Sequence, residues 1–373
     1  MAKKCVITAL ICVVLMVSLL IGCSKTPPPL EELVDFVVEA EEGREFRILQ
    51  ITDVQLGDDS KYRLSDGTDT TPVTYEELYA NSFYYIEETV KRTQPDLIIM
   101  TGDNVHGELD DDGLCLLQLV AFMESLEIPW APVFGNHDNE SAMGVSWQCQ
   151  QFEEAEYCLF KRGNVTGNSN YTVGIEQGGK LMKVLYMMDS NGCAYGYTYS
   201  PLNTFPSINE GEKIKTSDGL AKDQVEWITS HSERITKELG YTPSKFLALH
   251  INIQEYADAL IAKGYMKVDR MQKFTINDPT GEDFGGKYDL ASGTIVDGLW
   301  EVLKAQKFDG VFAGHQHQNY FSVVYEGVRL THGLKTGHMA YHSDEMLGAT
   351  FITVAQGGET FFVENIFVTE HIN

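Results

Sequence analysis

Five short apolar runs in this chain each end in a residue able to hold a metal ion. Phe46-Arg47-Ile48-Leu49-Gln50-Ile51-Thr52 is followed by Asp53, and Leu97-Ile98-Ile99-Met100-Thr101 leads to Gly102-Asp103. Val133-Phe134 leads to Gly135-Asn136-His137-Asp138, Phe246-Leu247-Ala248-Leu249 to His250, and Val311-Phe312-Ala313 to Gly314-His315-Gln316-His317. Runs of this length and composition read as buried strands. In a parallel sheet the carboxyl ends of the strands share one edge, and ligands bind there. One such ending is simply a capped strand or a polar turn. Five of them bring Asp, Asn and His side chains from distant parts of the chain to one place. Glycines at 102, 135 and 314 allow the sharp turns and close backbone approach this needs.

Strands are expected at 46–52, 97–101, 128–134, 171–175, 181–188, 246–249 and 311–313, and near the end at 321–325, 349–354 and 360–367. Helices are expected at 75–92, 114–125, 152–162, 221–239, 254–263 and 294–306, with Ser217 or Asp218 capping the helix that carries Trp227. The alternation argues an α/β fold with a largely parallel sheet. The last stretch has strand signals without helices, which suggests antiparallel strands on the same body. Residues 35–373 contain no Gly- or Pro-rich interruption and read as one domain, with 264–290 as a loop-like excursion over the site.

The donor types suit zinc, manganese or iron. Thiolates are absent from the cluster, and carboxylates are too few for a calcium cage. The donors are too many for one tetrahedral ion but suit two ions about 3.5–4 Å apart that share a carboxylate. Charge points the same way. The chain has 54 acidic and 28 basic residues, a net charge of −26. Such a surface repels phosphate backbones, so no nucleic-acid-binding surface is expected. An anionic substrate would need a local positive receiver, which bound metals provide.

Asp53-x-Gln55, Gly102-Asp103, Gly135-Asn136-His137-Asp138, His250 and Gly314-His315-x-His317 resemble, in order and spacing, the calcineurin-like metallophosphoesterases. Thr101-Gly102-Asp103-Asn104-Val105, Glu140 after the Asn-His-Asp block, and Gln224-x-x-Trp227 resemble their single-domain, purple-acid-phosphatase-like branch. The likeness spans roughly residues 45–340. It implies a four-layer α/β/β/α sandwich with two central mixed sheets. It also implies two transition metals (Mn, Zn or Fe), with Asp53 and His317 on the first, Asp103 bridging, and Asn136, His250 and His315 on the second. His137 would serve the leaving oxygen as an acid, and a hydroxide would attack phosphorus in line, on monoesters in preference to diesters. The family usually has His where this chain has Gln55, and purple acid phosphatases place a Tyr ligand where this chain has His106. Either Gln55 or His106 could complete the first metal's shell. With no phenolate, the purple colour is not expected. The alternatives are a catalytically impaired surface lipoprotein on this fold and a solute-binding lipoprotein.

The N-terminus sets the expected location. Lys3-Lys4 precedes an apolar run from Val6 to Ile21, shorter than the ~20 residues of a membrane span. Leu20-Ile21-Gly22-Cys23 resembles the bacterial lipobox. Residues 1–22 are therefore expected to be a lipoprotein signal peptide, and 23–34 a lipidated Cys23 with a Pro27-Pro28-Pro29 spacer. That reading puts the protein outside the cytoplasm, tethered to the bacterial cell membrane by its lipid.

Other residues have plainer readings. Cys149 and Cys158 form either a disulfide or two buried thiols, and Cys115 and Cys193 carry no motif. His338 is a pocket-lip or surface residue, and His332 and His342 follow the last block. Tyr195, Tyr197 and Tyr199 alternate as in a half-buried strand, Trp227 reads as core, and Asp138 either orients His137 or holds its turn.

Overall fold

The computed structural model describes residues 27–57, 75–107, 112–141, 143–192, 218–267, 272–289 and 293–369. The expected strands divide between two sheets. One has five strands in the order β14 (Phe361–Phe367), β13 (Gly348–Val354), β2 (Phe46–Ile51), β3 (Leu97–Thr101) and β4 (Trp130–Val133). The other has seven: β1 (Phe36–Glu39), β5 (Asn170–Gln177), β6 (Lys180–Met188), β7 (Ser244–Ala248), β10 (Phe308–Ala313), β12 (Val328–His332) and β11 (Ser322–Tyr325). Strands β2, β3 and β4 run parallel, as do β6, β7, β10 and β12. The C-terminal β13–β14 hairpin adds antiparallel strands beside β2, and β11 pairs antiparallel with β12. Both sheets are thus mixed.

Period-two alternation on the central strands builds the layers. On β7, Phe246 and Ala248 enter a core shared with Ile48, Ile98 and Ile352 of the five-stranded sheet. Their neighbours Leu247 and Leu249 face the opposite way, into a core with Ile228, Tyr256 and Leu303. Those three residues come from helices α4 (Lys222–Leu239), α5 (Glu255–Ala262) and α6 (Leu299–Ala305). Helices α1 (Tyr75–Thr93), α2 (Leu114–Ser125) and α3 (Val145–Glu154) supply Ile86, Leu116, Leu119 and Phe152 to the core around the five-stranded sheet. The four-layer α/β/β/α sandwich is therefore present.

Several local expectations are corrected. The helix expected at 152–162 lies instead at Val145–Glu154; after it the chain runs extended beside β4, with the Leu159 amide donating to Trp130 O at 2.7 Å. The apolar spacing of Tyr157, Leu159 and Phe160 serves that packing and not a helix face. Strands β1 and β12 are additions. The helix expected from 294 is cut to Leu299–Ala305, beginning after Gly298 at φ 77°. Asp218 does not cap α4; Gln224 does, its side-chain oxygen accepting the Ala221 amide at 2.7 Å. Ser217 lies outside the described residues. Within 264–290, β8 (Phe274–Thr275) and β9 (Gly286–Lys287) form a short antiparallel pair. Cys149 and Cys158 are buried free thiols. The leader with Cys23, and also Cys193, Tyr195, Tyr197 and Tyr199, lie outside the described residues. Among the described residues no helix is long and apolar enough to cross a membrane.

At the edge of the sheets remote from the strand ends, Lys183 is fully buried. Its ammonium donates to Ser244 Oγ at 2.7 Å and to both Asp309 oxygens at 2.9 and 3.0 Å, and it lies 3.9 Å from the Phe246 ring centre. Burial pulls its pKa down to about 8. Removing the carboxylate would leave a buried cation without its counter-charge. Asp309→Ala is expected to lower the unfolding free energy by about 3 kcal/mol in a denaturant titration, and Lys183→Met, which removes the charge and keeps the stem, by less. Equal losses would contradict this account.

Candidate metal centre

The site forms where the carboxyl ends of the two sheets meet. Strands β2, β3 and β4 lead to Asp53, Asp103 and Asn136 from one sheet, and β7 and β10 lead to His250, His315 and His317 from the other. The turns after these strands are tight. Asp53, Gln55, Asp103 and His315 have φ of 54°, 49°, 51° and 81°, a left-handed conformation that non-glycine residues adopt at a cost. The carboxylates repay part of that cost by accepting backbone amides: His137 N donates to Asp103 Oδ1 at 2.9 Å, and His315 N to Asp53 Oδ2 at 3.0 Å. Gly314 allows the last of these approaches. A Cβ there would lie 1.9 Å from Thr52 Oγ1 and 2.6 Å from Asp53 Oδ2.

Donor atoms of Asp103, His250 and His315 lie within 4.8 Å of one another, and so do those of Asp53, Asp103 and His317. Asp103 belongs to both groups. Asn136 Oδ1 is 3.1 Å from His250 Nε2 and joins the group of Asp103, His250 and His315. The tautomers follow from the partners. His250 Nδ1 lies 2.8 Å from Thr101 O and His317 Nδ1 lies 2.7 Å from Tyr341 O. A carbonyl only accepts, so each Nδ1 carries the hydrogen and each ring, when neutral, turns its Nε2 lone pair inward. His250 Nε2 is then 3.2 Å from Asp103 Oδ2 and 3.3 Å from His315 Nδ1, and His317 Nε2 is 3.3 Å from Asp53 Oδ1. Asp53 Oδ1 is buried and accepts no hydrogen bond. Lone pairs aimed at one another in a buried pocket repel unless a cation sits among them. The residues present therefore fit a pair of metal ions.

Electrostatics agree with the geometry. Burial opposes ionisation of Asp53, but the imidazole of His317 against it holds it well below the usual carboxylate range. Burial likewise opposes charge on His250, yet the Asp103 carboxylate beside it raises the ring's affinity for a proton, the place a metal cation would take. Burial, with His250 adding, pushes His315 down to about 3. The pocket thus keeps its carboxylates ionised and attracts positive charge.

The remaining expected residues sort themselves around this centre. Gln55 reaches it, but its Nε2 donates to Asp103 Oδ2 at 3.1 Å and its Oε1 accepts from Lys335 Nζ at 2.9 Å. His106 is not grouped with Asp53, Asp103 and His317; its ring centre is 4.4 Å from that of His137, and it gathers with His137 and Glu140. His137 Nδ1 is 2.7 Å from Glu140 Oε2. Asp138 does not orient His137. Its carboxylate accepts Gly135 N at 2.7 Å, Val105 N at 3.0 Å and Asn104 Nδ2 at 3.2 Å, which ties the β3 and β4 turns together. His332 is buried within the fold, and His338 packs with His342 and Tyr85. Trp227 is partly buried and stacks on His231. Sequence reasoning missed Lys335 altogether; the glutamine standing where the family has histidine was the one signal that a compensating partner was needed.

Residues 46–319 match the calcineurin-like phosphoesterase family, and the chain belongs to it. Members of this family act on phosphoesters and use dinuclear metal centres. The chain is 26% identical over 316 residues to "Probable inactive purple acid phosphatase 14" of Arabidopsis thaliana, covering 80% of this chain and 72% of that protein. It is 25% identical over 320 residues to "Probable inactive purple acid phosphatase 29" of the same plant, covering 80% and 73%. Among solved structures, a dimetal phosphatase from Danio rerio aligns over 86% of this chain and 99% of its own, at 10% identity and a TM-score of 0.46.

Gly314→Ala is expected to push Asp53 off its position and weaken metal uptake by about tenfold or more, read as a smaller metal-induced rise in melting temperature. A full rise in the variant would contradict the placement of Asp53.

Proposed function

We propose that this chain is a metal-dependent phosphoester hydrolase, tethered at the outer face of a bacterial membrane by a lipid on Cys23. The observation that carries the hydrolase reading is the pair of donor groups sharing Asp103, with inward lone pairs on His250 and His317. Asp53, Asp103 and His317 would hold one ion; Asp103, Asn136, His250 and His315 would hold the other. When bound, the ions supply the positive charge and Lewis acidity toward phosphoryl oxygens that an acidic chain lacks.

The chain's own residues do the rest. His137 has Glu140 on Nδ1, which fixes the ring and leaves Nε2 to hold the proton for the leaving oxygen. Its backbone amide donates to Asp103, which holds that carboxylate against the turn carrying the ring. Monoesters are favoured on the likeness to purple acid phosphatases. Manganese, zinc and iron all suit the donors. The location rests on the basic start, the short apolar run and the Gly22-Cys23 pair.

A second reading is a catalytically impaired protein on the same fold. It is favoured by the engagement of Gln55 with Lys335 and by the two relatives whose names call them probably inactive. A two-lobed solute receptor is disfavoured, because one continuous core lies between the sheets.

Full-length protein in detergent, loaded with Mn²⁺ or Zn²⁺, is expected to hydrolyse p-nitrophenyl phosphate and to lose that activity to a chelator. His137→Ala should lower kcat roughly a hundredfold while metal content stays the same. Cys23→Ser should release the chain from membranes. Two bound metals with no hydrolysis of any phosphoester in a panel would favour the impaired reading.

A further inference from the structure

Lys335 sits in the segment that follows β12, and it is buried. The segment is fastened to the end of β2: Thr336 N donates to Thr52 O at 2.9 Å and Gly337 N to Asp53 O at 3.3 Å. From there the Lys335 ammonium donates to Asp53 O at 2.6 Å and to Gln55 Oε1 at 2.9 Å. The other end of the Gln55 amide donates to Asp103 Oδ2 at 3.1 Å.

An ammonium can only donate and an ionised carboxylate can only accept. An amide placed between them has one satisfied orientation. Turning it over would press its NH2 against the ammonium and its oxygen against the carboxylate, two buried repulsions in place of two charge-assisted hydrogen bonds. The Gln55 oxygen is thus held away from the Asp53, Asp103 and His317 donors.

We propose that Lys335 is a positioning residue that keeps Gln55 a hydrogen-bond donor to Asp103, so that this chain's two metal positions bind unequally. The inference rests on the dinuclear reading above. The position of Asp103, Asn136, His250 and His315 has four protein donors and fills first. The position of Asp53, Asp103 and His317 has three, with a fixed cation one amide away from its bridging carboxylate, and fills later. In this chain Lys335 supplies part of the positive charge that a second tightly held ion would otherwise provide.

The test is a Mn²⁺ titration of the full-length, chelator-stripped protein in detergent, followed by calorimetry and by elemental analysis of bound manganese. The wild type should show two steps, the second weaker by on the order of tenfold or more. Gln55→Glu is nearly isosteric: one oxygen keeps the Lys335 hydrogen bond and the other replaces Nε2. It should tighten the weak step by about tenfold and leave the tight one unchanged. Lys335→Met, which frees the amide to turn, should also tighten it. One equivalent bound in the wild type and two in Gln55→Glu is the same result in its extreme form. Two equal steps in the wild type, or a weak step that Gln55→Glu does not move, overturns the role of Lys335 and leaves the dinuclear reading intact. Absence of manganese uptake, or uptake unchanged in His250→Ala, overturns the dinuclear reading itself.

Discussion

The organising constraint of this molecule is a set of buried acceptors that face one another. Two carboxylates, an amide oxygen and three imidazoles converge, and in two of the rings a backbone carbonyl fixes which nitrogen turns inward. In water such groups would be solvated separately; here they are held together at the meeting of two sheets. The same contacts stitch the sheets. His250 of the seven-stranded side donates to Thr101 O at the end of β3, and the His315 amide donates to Asp53 at the end of β2. Anything that satisfies the acceptors therefore also stabilises the seam, and binding and folding are linked.

The surrounding structure serves to hold this arrangement against its own repulsion. Left-handed turns at Asp53, Asp103 and His315 aim the side chains, and the backbone amides that the carboxylates accept make those turns affordable. Asp138 clasps two of the turns. A further buried network stands behind the site: Gln224 Nε2 donates to Asn170 Oδ1 and Asp189 O, both at 2.7 Å, and Asn139 Nδ2 donates to Gly192 O at 2.7 Å. These polar side chains are all bonded to neighbours across separate elements, which is how a buried polar layer fixes one geometry.

The sequence made the strand ends legible because the pattern is local: an apolar run, a glycine or threonine, then a donor. It made the general alternation of strands and helices legible for the same reason. Two sheets in place of one, and the four-layer stacking, came from family resemblance, since periodicity on β7 shows that both faces are buried but not what covers each. Local pattern failed where tertiary packing decides. Tyr157, Leu159 and Phe160 carry helix-like spacing yet lie extended against β4. Lys335 was invisible because its meaning lies in a contact 280 residues away, and a single lysine in Leu334-Lys335-Thr336-Gly337 has no pattern of its own. The roles of Asp138 and Glu140 likewise depend on which of two nearby carboxylates reaches the His137 ring, and only the turn geometry settles that.

The central claim is that two ions share Asp103. Anomalous diffraction at the manganese edge, from crystals grown with Mn²⁺, tests it most directly. The account predicts two peaks flanking the Asp103 carboxylate, one beside Asn136, His250 and His315 and the other beside Asp53 and His317. A single peak among His106, His137 and Glu140, or no peak within reach of Asp103, would contradict it.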